Sequence, residues 1–146
     1  MTENSMKSIL VKRLAPLDAC SIESPSTGIG IPDVNCSLGW IECKAMKAWP
    51  KGADKNPVIF PHPLSKQQQV WGYRREMSGG VSLVCGKVSN VWFFWSCFKI
   101  KNWNLWDRMT RPDMHKYAEI VFERGLKTEE LVEFMRKYHD FRLTPF

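Results

Sequence analysis

Apolar side chains recur at helical spacing near both ends of the chain and alternate like a strand in its middle. In residues 3 to 14, Met6, Ile9, Leu10 and Leu14 fall at i, i+3, i+4 and i+8, one stripe of a helix. Glu3 lies three residues ahead of Met6 on the same face, so a carboxylate heads an inward-facing stripe. From Ile31 onward the period becomes two. The segments "IPDVN", "CSLG" and "WIECK" predict a hairpin with Gly39 in its turn, in which Trp40, Glu42 and Lys44 share one face while Ile41 and Cys43 take the other.

The stretch "PLSKQQQVWGYRREMSGG" predicts a helix opened by Ser65, carrying Gln68 and Trp71 three residues apart and stopped by Gly79 and Gly80. Two apolar strands follow, "VSLVCG" and "NVWFFWS". Beyond "KIKNWNLWDRMTR" the pattern predicts helices over 112–124 and 128–139, separated by Gly125, with Glu129 and Glu130 in the first turn after Thr128. Residues 48 to 63, "AWPKGADKNPVIFPHP", read as a loop whose length suits the flank of an active site. The order helix, two or three strands, helix, two strands, then helices predicts an α/β sandwich with a mixed sheet. At 146 residues one domain is expected, 1–146, with a core over 1–96 and a helical extension over 97–146 that completes it.

Composition narrows the classes. With 44% hydrophobic residues and no apolar run of membrane-spanning length, and with a start lacking a signal peptide's apolar core, a soluble cytoplasmic protein is expected. The five cysteines form no CxxC pair, which predicts reduced, mostly buried thiols rather than a zinc site or disulfides. A net charge of +6 favours a polyanionic partner, since every neutralised phosphate releases counterions.

Phosphodiester hydrolysis needs charge neutralised on a pentacoordinate phosphorus and an activated water, and divalent ions held by carboxylates supply both. Asp33 and Glu42 are candidate oxygen ligands from adjacent strands, and the Cys43 backbone carbonyl is a third. Lys44 is placed to hold the attacking water or offset developing charge. An all-oxygen set predicts Mg²⁺ or Mn²⁺.

Pro32-Asp33 followed by Glu42-Cys43-Lys44 resembles the PD-(D/E)XK nuclease superfamily. Glu3, Met6 and Leu10 resemble the E-x-x-apolar-x-x-x-Leu helix that brings another carboxylate to the metal in Holliday-junction resolvases of that superfamily. Gln68, Trp71 and Gly79-Gly80 look like the helix after the ExK in RecU-like and VRR-NUC nucleases. The resemblance spans residues 3 to about 96. It implies a restriction-endonuclease-like mixed β-sheet flanked by helices, an Mg²⁺-dependent deoxyribonuclease activity, and metal ligation by Glu3, Asp33 and Glu42. Gln68 would orient the phosphate or Lys44. It also implies branched DNA as substrate, a homodimer presenting two sites, and a phage-type enzyme acting in the host cytoplasm.

Other readings stand beside these. Glu3 also suits a helix N-terminus through the dipole, Asp33 a turn, and Glu42 with Lys44 an exposed cross-charge pair. Ser65-x-x-Gln68 has the form of a capping box. Lys7, Lys47, Arg74 and Arg75 are candidate DNA contacts or a solvated surface. Trp92, Trp95, Trp103 and Trp106, with Lys99 and Lys101, suit base stacking, core packing or a dimer interface, with packing favoured. A site-specific endonuclease of homing or restriction-like type is the alternative enzyme, and a non-catalytic nucleic-acid-binding module the alternative class.

Overall fold

The stripe of residues 3 to 14 winds into helix α1 (Glu3–Arg13) in the computed structural model of the chain, which describes residues 2–22 and 30–143. Thr2 caps it, its hydroxyl oxygen accepting from the Ser5 N–H at 3.1 Å. Met6 and Leu10 are buried on its inward side. Next come β1 (Cys20–Ser21), β2 (Val34–Cys36) and β3 (Gly39–Met46), each antiparallel to the one before. The hairpin turn is Ser37-Leu38, one step earlier than the pattern places it. Gly39 opens the strand instead, packed so closely on Val81 that a Cβ there would sit 2.6 Å from that side chain.

Helix α2 (Lys66–Met77) carries the chain over to β4 (Ser82–Val88), which runs parallel to β3. The hairpin partner β5 (Val91–Ser96) follows, then α3 (Cys97–Asn102) and α4 (Arg111–Tyr117). The helix expected over 112–124 stops at Tyr117. Ala118 adopts extended backbone angles, and Ile120–Phe122 pairs with β5 as strand β6. Ile-Val-Phe is a β-branched and aromatic run, and the open edge of β5 gives its backbone partners. The C-terminal third therefore extends the sheet as well as supplying helices, ending in α5 (Thr128–Leu143).

The result is a mixed six-stranded sheet in the order β1-β2-β3-β4-β5-β6, flanked by helices on both faces, an α/β fold as the sequence predicts. One face carries Ile41, Cys43, Leu83, Cys85 and Phe94 against Met6 and Leu10 of α1, Leu14 at its C-cap, and Leu131 and Met135 of α5. The other carries Val84, Phe93 and Trp95 against Val58 and Phe60 of the 48–63 loop and Ile100, Trp106 and Met114. Each large side chain so buried contributes roughly 1.5–3 kcal/mol. Trp92, Trp95 and Trp106 are thus core residues, as packing predicts, and of the four only Trp103 remains exposed. Four cysteines are buried, Cys20 is exposed, and all five are free thiols. No helix among the described residues is long and apolar enough to cross a membrane.

One buried charge fastens the layers at the end of the sheet. Glu76 of α2 has no exposed surface. Its carboxylate accepts from Ser96 Oγ at 2.5 Å, from the Phe98 N–H at 3.3 Å and from Tyr138 Oη of α5 at 3.1 Å, with the Arg142 guanidinium 3.5 Å away. Burial pushes its pKa up, while these donors and Arg142 pull it back.

Candidate active site

The hairpin register sets Asp33 one step beyond the Val34–Ile41 pair, and hence opposite Glu42. Asp33 turns its Oδ2 to the strand and accepts the Cys43 N–H at 3.0 Å, which replaces the ladder bond that β2 no longer offers. In an extended strand a residue's N–H and C=O leave on the same side, so the Cys43 carbonyl also faces the Asp33 side rather than β4. Its thiol, meanwhile, lies in the core, where burial pushes it far above its usual range. Lys44 follows Glu42 on the same face, their charged atoms 3.8 Å apart and both side chains only 5% exposed. They are not the exposed strand pair that one reading of the sequence allowed. Gly86, opposite Lys44 on β4, leaves room on this face for the Trp95 ring, which a Cβ would meet at 2.5 Å.

Electrostatics mark the same group. Burial, then a hydrogen bond and the charge of Asp33, push Glu42 up to about 9, with Glu3 adding to the rise and Lys44 opposing it. Three carboxylates therefore sense one another here, two of them in contact. Glu42 Oε1 is buried with no hydrogen-bond partner, an expensive arrangement for a polar atom.

Glu3 sits in the first turn of α1, where the helix dipole favours it, and it also reaches the site. Its Oε2 is 3.1 Å from Nδ1 of His62, which arrives from the proline-flanked loop. From the sequence alone His62 reads as a surface residue between two prolines and is left out of the site; it is indeed exposed, and its contact with Glu3, 59 positions away, leaves no local trace. Its one signal was its place between two prolines in the loop expected to flank the site. Lys7, one turn after Glu3, lies 3.9 Å from Asp33 and lines a cleft of about 740 Å³ with Asn4, Ser8, Val11, Lys12 and Ser21.

Gln68 closes the capping box of α2: its Oε1 accepts from the Ser65 N–H at 2.9 Å while its own N–H donates to Ser65 Oγ at 3.1 Å. The start of this helix nevertheless adjoins the segment leading to Asp33, since a Cβ on Gly30 would lie 2.5 Å from the Gln67 carbonyl oxygen. Arg74 and Arg75 are exposed on α2, and Lys47 is exposed just past β3. Among the described residues no three His, Cys, Asp or Glu side chains close into a metal-holding cluster. No protein-family model and no curated protein matches the chain.

Proposed function

We propose that the chain is a divalent-metal-dependent endonuclease that hydrolyses DNA phosphodiesters, with four-way junctions as its substrate and a homodimer as its working form. The observation that carries this reading is the contact of buried Glu42 with half-buried Asp33, with Lys44 beside them. Two carboxylates in contact, one held protonated near neutral pH and with an orphaned oxygen, form a site that a hard cation would satisfy. Asp33, Glu42, Glu3 and the Cys43 carbonyl would hold Mg²⁺ or Mn²⁺, which when bound supplies positive charge to the phosphate and lowers the pKa of water.

The remaining chemistry belongs to the chain's own groups. Lys44 holds the incoming water by its ammonium and offsets charge growing on the phosphate. Lys7 keeps Asp33 in place, and His62 keeps Glu3 turned toward the pair. A net charge of +6 draws in the polyanion. Two copies related by a two-fold axis would offer two such sites to a symmetric junction.

The test is cleavage of a labelled four-way junction, linear duplex and single-stranded DNA with Mg²⁺ or EDTA, by wild type and Glu42→Gln. Paired, metal-dependent nicks in the junction that vanish in the variant are expected. Discrete cutting of linear duplex would mark a homing- or restriction-like enzyme instead, and binding without Glu42-dependent cleavage would remove the enzyme reading.

A further inference from the structure

Three cations lie over aromatic rings along α2 and α3, beginning next to the carboxylates. The Arg75 guanidinium is 4.6 Å from the centre of the Trp71 ring and 5.9 Å from that of Trp40, and the two indoles meet edge to face at 5.1 Å. Trp40 stands two residues before Glu42 on the same strand face, about 7 Å along β3. On the next stretch of α2, Tyr73 stacks on Phe98 at 5.8 Å with the Lys101 ammonium 5.3 Å over its ring. Lys99 lies 5.8 Å over Trp103, an indole left 51% exposed.

Two hollows flank Trp71. One of about 300 Å³ is lined by Lys66, Gln67, Val70, Trp71 and Arg74, and one of about 230 Å³ by Trp71, Arg74, Arg75 and Ser78. Glu119 neutralises Lys99 at 2.6 Å, but among the described residues no ion pair engages Lys66, Arg74, Arg75 or Lys101. The face is therefore aromatic and positively charged at once.

Duplex DNA offers such a face only its phosphates, because its base planes are hidden in the stack. An unpaired strand offers both: flat π surfaces for the indoles, and phosphates for the guanidinium and ammonium groups. We infer that this face of α2 and α3 takes an unpaired nucleic-acid strand, stacking bases on Trp71 and Trp103 and pairing phosphates with Arg74 and Lys101, and leads it to Glu42. The inference rests on the nuclease reading for what happens at Glu42, and it makes a four-way junction carrying an unpaired strand a better substrate than a fully paired one. Binding itself needs neither metal nor catalysis.

The experiment measures fluorescence anisotropy in EDTA with labelled oligothymidine of roughly 20 nucleotides, longer than one stacking site, and with oligouridine and duplex of equal length. Wild type should hold the single strands more tightly than the duplex, and the ratio of the two single strands tells DNA from RNA. Trp103→Ala and Arg74→Ala, both on exposed side chains, should each weaken single-strand binding about fivefold or more. Trp103→Ala should leave duplex binding and competition by heparin, a polyanion without bases, unchanged. Duplex bound as tightly as single strand, single-strand binding indifferent to Trp103→Ala, or an equal loss with heparin would overturn the inference. Since no metal is present, intact binding beside absent cleavage in the junction assay would sink the nuclease reading alone.

Discussion

Replacing Glu42 by glutamine preserves the side chain's shape, removes its charge, and should stabilise the metal-free protein at neutral pH. The group is 4% exposed, and burial with Asp33 raises its pKa from 4.5 to about 9. The unfolded chain gives up this proton near pH 4.5 while the folded chain keeps it to about pH 9. Between those values the folded state binds more protons than the unfolded state, so stability falls as pH rises. Each unit is worth about 1.4 kcal/mol, and from 4.5 to neutral pH the wild type loses roughly 3 kcal/mol. Glutamine does not titrate, and its amide can donate to Asp33. Glu42→Gln should therefore exceed wild type by up to about 3 kcal/mol at neutral pH in EDTA, the gap closing toward pH 4.5. Urea unfolding followed by tryptophan fluorescence, from about pH 5 to about pH 8, reads this directly. A flat wild-type profile, or a variant less stable than wild type at neutral pH, would refute the reasoning.

Tyr138→Phe removes a donor from buried Glu76 and should cost about 1–3 kcal/mol in the same unfolding assay. Gly86→Ala drives a methyl group into the Trp95 ring and should cost about 1–3 kcal/mol, with near-ultraviolet circular dichroism reporting the disturbed indole. Gln68→Ala should lower stability by about 1 kcal/mol through the lost cap; a loss of cleavage well beyond the loss of folded protein would reveal a second role at the site. His62→Ala should leave the melting temperature unchanged, since the ring is exposed, and should raise the metal concentration needed for half-maximal cleavage.

The alternation of "PDVNCSLGWIECK" was enough to put Glu42 and Lys44 on one face with Asp33 on the neighbouring strand, through period two and one hairpin, whereas the register that sets Asp33 opposite Glu42 depends on a turn at Ser37-Leu38 that the pattern placed at Gly39. Helix α1 and the capping box of α2 were legible too, each resting on contacts three or four residues apart. What escaped depends on distant partners. Ile120–Phe122 is too short to announce a strand without the open edge of β5. Glu76 looks like a surface residue of a polar helix until Tyr138, 62 positions away, closes over it. The Glu3–His62 contact has the same character, and so does the burial of Lys44, whose side chain is left only 5% exposed.

Among the described residues the outermost strands of the sheet are only two and three residues long. Backbone groups able to template another chain are consequently few on β1 and β6, and β4 lies inside, paired along its length on both sides, while β3 pairs with β4 throughout and with β2 over Gly39, Trp40 and Ile41. Such borders resist the edge-to-edge growth that leads to fibrils and domain exchange. They also constrain quaternary structure: two copies gain little by continuing one sheet into the next, so association has to proceed through side-chain surfaces, where single substitutions can tune or abolish it.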